Sequence, residues 1–253
     1  MRLLIIIEYP VSQVNLLSKL VNPTGTLVKI ENNRVILDSS DLVHSSLDEL
    51  DTSKIDDVWK RVRQFISEIN GAAAIMLPSL PPLGLVNIQV VKPGGESTWL
   101  PITASVEIYN EMQTVTATMS TDATSDITHV SARTVRRHPA AELLIVALHD
   151  HNVAKVLRLQ EHKKDWTNLY RIFEIIKDDI GGKEIISRKW AKVDEIKAFT
   201  GSANNPNVSG DDSRHGPLKG ERPKKTMGIT EARFLIAGIT RKWLRHKMRE
   251  KPT

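Results

Sequence analysis

The spacing of apolar residues changes near residue 138, and this change constrains the fold more than any other feature of the chain. Before it, apolar residues come in short runs and period-2 alternations separated by turn chemistry. After it, they recur every three to four residues. RLLIII predicts an opening strand, and TLVKIENNRVILD predicts a hairpin turning at Glu31, Asn32 and Asn33, because asparagine tolerates the positive φ of tight turns. LVNIQVV, a KPGGE turn, STWLPITASVEIY and TVTATMS follow as further strands. One helix is embedded among them over residues 55–69, where Val58, Trp59, Val62, Phe65, Ile66 and Ile69 share a face and Gly71 offers a stop.

From residue 138 the expected elements are helices. PAAELLIVALHDH and NVAKVLRLQEH are apolar and rich in helix formers. DWTNLYRIFEIIKDDIGG carries the clearest signal, with Asp165 as N-cap, a stripe of Trp166, Leu169, Tyr170, Phe173, Ile176 and Ile180, and Gly181-Gly182 to end it. Those aromatics, like Trp59 and Trp99, are expected in the core. A short VDEIKAF helix precedes a long loop over residues 200–228. The chain then closes on ITEARFLIAGITRKWLRHK, with Thr230 as cap. The expected fold class is α+β: a β-rich module with one embedded helix over residues 1–137, α+β or barrel-like, and an α-helical domain over 138–253.

Composition narrows the class of partner. No apolar run reaches the roughly 18–20 residues of a membrane span, and the apolar start ends at Glu8, too soon for a secretory leader. There is no cysteine, so disulfides and thiolate metal sites are excluded, and a cytoplasmic protein without membrane contact is expected. The net charge of +5 is uneven. Residues 201–253 hold 12 Lys and Arg against 5 Asp and Glu, a net +7, so the first 200 residues sum to −2. A basic tail of this kind points to RNA or another polyanion, with Lys219, Arg222, Lys224, Lys225, Arg241, Lys242 and Arg245 as the candidate phosphate contacts.

Phosphate-loop, dinucleotide-binding and nucleophile-elbow signatures are absent, so no cofactor is expected. His149-Asp150-His151 has neighbours that face different directions on a helix, so it reads as a polar helix end and no metal is expected. The long loop holds the remaining chemistry. Arg214 and His215 sit between Ser213 and Gly216, after Asn204, Asn205 and Asn207. A guanidinium grips phosphate oxygens and an imidazole moves protons near neutral pH, which suits phosphodiester cleavage. Asn204, Asn205, Asn207 and Ser213 would orient the substrate. The alternative is a solvated connector with local ion pairs.

WTNLYRIFEII, KAFTGSANNPNVSGDDSRHG and ITEARFLIAGITRKWL together resemble a family of uncharacterised bacterial proteins with an Arg-His-Gly loop. The helical half also resembles HEPN domains, found in RNase toxins and phage-defence proteins. That resemblance implies a homodimer in which an Arg and a His of each subunit meet to cut RNA without a metal. The HEPN motif places four to six residues between its Arg and His. Arg214 and His215 are adjacent and depart from it, whereas Arg241 and His246 have that spacing. Three functions therefore stand side by side: an interaction or sensor protein in a phage-defence or toxin–antitoxin setting, a metal-independent ribonuclease, and a nucleic-acid-binding module.

Overall fold

The computed structural model describes residues 2–32, 34–39, 52–92, 94–100, 138–210, 213 and 225–250. Its N-terminal part runs β1 (Arg2–Glu8), α1 (Val14–Val21), β2 (Thr26–Glu31), β3 (Arg34–Ser39), α2 (Thr52–Met76), β4 (Gly84–Val91) and β5 (Ser97–Trp99). The sheet order is β2-β3-β1-β4-β5, and every neighbouring pair is antiparallel. Its first four strands and two helices follow a β-α-β-β-α-β order with β1 and β3 in the centre. This is the split, ferredoxin-like topology, extended by one strand beside β4. The hairpin turn is as expected, with Asn32 at φ 50°. Helix α1 is a second helix in this module, which the sequence reading does not contain. It buries Val14, Leu17, Leu20 and Val21, and Gly25 at φ 84° turns the chain into β2.

The two faces of the sheet have different fates. Leu3, Ile5 and Ile7 of β1 lie on one face with Val35 and Leu37 of β3 and with Ile88 and Val90 of β4, by register and period-2 alternation. All seven belong to one apolar cluster with α1 and α2. Ile6 and Ile36 are buried on the opposite face, outside that cluster.

Gly71 does not end α2. The helix runs on to Met76, and Gly71 instead lets α4 approach: a Cβ there would sit 2.0 Å from the carbonyl oxygen of Leu157. Beside it, the amide of Asn70 reads the backbone of Leu83 from both sides, donating to its carbonyl at 3.1 Å and accepting from its N–H at 2.7 Å. That pair fixes where the chain re-enters the sheet at β4.

The C-terminal part comprises α3 (Pro139–His149), α4 (His151–Leu159), α5 (Trp166–Ile180), α6 (Gly182–Ser187), α7 (Val193–Ala203), α8 (Pro206–Ser209) and α9 (Ile229–Arg249). Asp165 caps α5 by accepting from the N–H of Asn168 at 2.8 Å. The α5 stripe is buried as its spacing predicts from Trp166 to Ile176, and Ile180 at its end is half-buried. Trp166, Tyr170 and Phe173 gather around Phe199 of α7, with ring centroids 5.5–6.3 Å from it. Trp243 of α9 is fully buried. Helices α3 and α4 pack on α2, so a single apolar cluster runs from the sheet through α2 to α9. Lys164 closes the end of α4, donating to the carbonyls of Leu159 (3.1 Å) and Gln160 (2.5 Å). Burial pulls its pKa down to about 8, against the opposing pull of the Glu161 charge.

Candidate binding surfaces

The loop predicted from residue 200 is partly helical, since α7 continues through Ala203 and α8 follows directly. Asn205 is buried and caps α8, accepting from the N–H of Asn207 at 3.0 Å. Ser213 donates to the carbonyl of Ala203 at 3.5 Å. Asn207 is exposed, and the side-chain oxygen of Asn204 is shut from solvent with no hydrogen-bond partner among the described residues. Arg214, His215, Lys219, Arg222 and Lys224 lie outside the described residues.

The remaining basic candidates are spread along the helical half. Lys225 pairs with Asp194 at 2.7 Å in full solvent, where an ion pair contributes little. The guanidinium of Arg241 donates to the carbonyl of Ala237 at 3.3 Å, and Arg245 is exposed. Lys242 donates to the carbonyls of Lys189 (3.2 Å) and Trp190 (3.1 Å), which draws the α6–α7 turn against α9. That turn carries Arg188, over the ring of Trp190 at 5.8 Å, with Lys189 and Lys192 beside it. His246 faces Trp190 at 6.0 Å between ring centroids, with Glu250 3.1 Å from its Nε2. Five residues apart on a helix is about 140° around the axis. Arg241 and His246 therefore point to different surroundings.

The His149-Asp150-His151 triplet is a helix junction, as the sequence suggests, and its centre serves a larger purpose. Asp150 caps α4, accepting from the N–H groups of Asn152 (2.9 Å) and Val153 (3.0 Å). Its second oxygen lies 2.9 Å from the Nζ of Lys247 on α9. Asp179 of α5 accepts from that same Nζ (2.9 Å), from the indole N–H of Trp243 (2.9 Å) and from the amide of Asn152 (3.0 Å). Partial burial pushes the Asp179 carboxyl upward, but these donors outweigh it and hold its pKa below the usual carboxylate value. Lys247 is likewise desolvated, yet the two carboxylates raise its pKa. Every charge in this knot is answered, so it fastens three helices and offers nothing to a ligand.

Helix α9 also turns an exposed apolar side chain outward. Phe234 is 73% exposed, more than any other large apolar side chain in the described residues. It borders a groove of about 770 Å³ with Ala198, Met227 and Leu235, rimmed by Asp194, Glu195 and Glu231. Continuing along the same helical stripe come Ala237, Gly238, Arg241 and Arg245, and a Cβ on Gly238 would meet nothing within 4 Å.

Trp99 is not a core residue, contrary to the sequence expectation: it is 49% exposed. The register sets it opposite Gln89 on β4, on the sheet face away from α1 and α2. There it lines a cleft of about 540 Å³ with Ile6, Glu8, Tyr9, Arg34, Val86 and Asn87, among others. Between Ile6 and Ile7 the pairing with β4 shifts, leaving Val86 as the extra, exposed residue of a bulge. Tyr9 is buried, its hydroxyl meets no hydrogen-bond partner among the described residues, and desolvation raises its pKa.

Comparison with protein-family models, with curated proteins and with solved structures returns no match to this chain. Among the described residues no helix is long and apolar enough to cross a membrane, and no group of three or more His, Asp or Glu side chains is placed to hold a metal ion.

Proposed function

We propose that the chain is an interaction protein that pairs with a second copy of itself along α9. The observation behind this reading is the stripe of exposed Phe234, Ala237, Arg241 and Arg245 with half-buried Gly238 among them. Small residues at its centre permit two helices to approach closely. An antiparallel pairing about a two-fold axis between Ala237 and Gly238 sets Phe234 against Arg241 of the second copy, a cation–π contact made twice. It also brings the acidic start of α9, at Glu231, toward Arg245 at the basic end of the other helix. Sedimentation velocity tests the pairing. The wild-type chain should sediment with twice the mass of one chain, and Phe234→Lys should be a monomer because two cations would then face each other. Adding Arg241→Glu to that variant should restore the dimer. A monomeric wild type, or a dimer indifferent to Phe234→Lys, overturns the reading.

A second reading, binding of RNA or another polyanion, draws on the contact of Lys242 with the α6–α7 turn, which sets Arg188, Lys189 and Lys192 beside the basic end of α9. Binding of that kind weakens steeply with salt. Replacing Lys189 and Lys192 by alanine should lower RNA affinity at low salt and flatten the salt slope. The absence of cysteine suits a cytoplasmic setting, and a phage-defence or toxin–antitoxin role follows from the resemblance to HEPN domains.

A further inference from the structure

We infer that the cleft on the open face of the sheet binds a zwitterion, specifically an α-amino acid with an apolar or aromatic side chain. Two opposite charges at this end of the sheet do not meet. Ile7 of β1 faces Val35 of β3, so the next residues along each strand, Glu8 and Arg34, are cross-strand neighbours at the cleft's end of the sheet. Such neighbours ordinarily pair. Here no ion pair joins them. Glu8 lies over the other neighbour, β4, where it faces Gly84. A Cβ on Gly84 would stand 3.4 Å from the Cβ of Glu8 and 3.7 Å from its Oε2, so the glycine gives the carboxylate room on that side. Glu8 and Arg34 both line the cleft, not paired with each other, with a net charge of zero between them.

That balance selects the ligand. A phosphate would gain Arg34 and be repelled by Glu8, and a simple cation would suffer the reverse. A molecule with an ammonium and a carboxylate a few bonds apart answers both groups. Apart from Asn87, the rest of the lining is apolar or aromatic, with Ile6 as floor, Val86 held outward by the bulge and Trp99 presenting an exposed ring. These take the side chain of the amino acid. The amide of Asn87 uses its oxygen on the N–H of Ile88 at 2.8 Å, which leaves its NH₂ to donate to the ligand carboxylate. The site goes beyond the proposed self-association. It lies on the sheet face turned away from α1 and α2, whereas the pairing stripe is on α9, so either can fail without the other.

The test is titration of the full-length protein by calorimetry with phenylalanine and leucine, then with N-acetylphenylalanine, which lacks the ammonium, and phenylalaninamide, which lacks the carboxylate. The free amino acids should bind, and each blocked derivative should bind at least about tenfold more weakly. Glu8→Gln should weaken phenylalanine about tenfold while leaving N-acetylphenylalanine unchanged, and Arg34→Gln should do the same with phenylalaninamide unchanged. Trp99→Ala should remove the preference for phenylalanine over alanine. Circular dichroism confirms that each variant is folded, since all three side chains are solvent-facing. No heat with any free amino acid up to roughly 10 mM, equal binding of the blocked derivatives, or wild-type titrations from both charge variants would each overturn the inference.

Discussion

The knot around Asp179 and the cleft beside Trp99 are both built from polar groups, and they treat those groups in opposite ways. In the knot, one carboxylate answers an indole N–H, an amide and an ammonium, and a second carboxylate caps a helix and completes the ammonium's shell. Beside the cleft the buried Tyr9 hydroxyl has no hydrogen-bond partner among the described residues, and in the cleft opposite charges are not paired with each other and a tryptophan is left half in solvent. Buried polar groups cost free energy unless they are satisfied. A completed network therefore reads as scaffold, and an incomplete one marks a place where something else supplies the missing partner.

The largest expected effect lies in the scaffold, where α2 and α4 touch through Gly71. A Cβ at 2.0 Å from a backbone oxygen cannot be absorbed by a side-chain rotation. Gly71→Ala should cost about 3 kcal/mol or more, beyond the usual range for overpacking because the clash is with main chain. Urea denaturation measures it, as a lower midpoint at unchanged slope. A loss below about 1 kcal/mol would mean that the helices part easily and that the core is less rigid than its packing implies.

Asp179→Ala comes next. It strips the acceptor from three donors and leaves Lys247 with Asp150 alone, at a cost of about 2–3 kcal/mol near neutral pH. Asp178→Ala, an exposed neighbour, should change stability by less than about 0.5 kcal/mol. The pH dependence has a definite sign. The folded pKa of Asp179 is depressed, so its contribution is complete above the ordinary carboxylate pKa and disappears as pH falls through the lower folded value. The gap between wild type and Asp179→Ala should therefore narrow below about pH 4. A gap that stays constant into acid would show that packing around Trp243, and not the charge, is what the aspartate supports.

This contrast also separates what was legible in the sequence from what was not. The hairpin around Asn32 and the helix capped by Asp165 are local matters: a turn residue, a cap and a stripe lie within one window, and the structure keeps them. The Asp150–Asp179–Lys247 knot joins residues from three distant segments and has no local signature, although the junction at Asp150 shows as a polar interruption between two helices. Gly71 was visible but ambiguous, because a glycine that stops a helix and one that admits a neighbouring helix look alike without the neighbour. Helix α1 is eight residues long with polar turns on both sides, too short for its periodicity to stand out from the strands around it. Trp99 depended on strand register: one residue of slip would have buried its side chain against α2 instead of opening it to the cleft. The same register places Glu8 and Arg34 together, and neither strand alone suggests it.

Tyr9 reverses the usual direction of a core substitution. Its ring is buried and its hydroxyl has no partner among the described residues, so Tyr9→Phe keeps the packing and deletes the unsatisfied group. The free protein should become more stable by about 1 kcal/mol, read from the urea midpoint. A loss of similar size would show that the hydroxyl is already satisfied, and the cleft would then resemble the knot more closely than the comparison allows.

The smallest effect on stability is expected at Trp99, and its smallness is the informative result. A tryptophan that belonged to the core would cost several kcal/mol on truncation, roughly 3–5 for a fully buried one. Trp99 sits at the end of a three-residue edge strand with about half its surface in solvent. Trp99→Ala should therefore change the unfolding free energy, measured by urea denaturation, by no more than about 0.5 kcal/mol. The ring is an expensive apolar surface to leave exposed when the fold draws so little from it. Stability that is indifferent to Trp99, combined with ligand binding that is not, would separate the function of the open face from the architecture of the covered one. A large loss of stability would instead join Trp99 to the scaffold and remove the aromatic wall on which the cleft's selectivity depends.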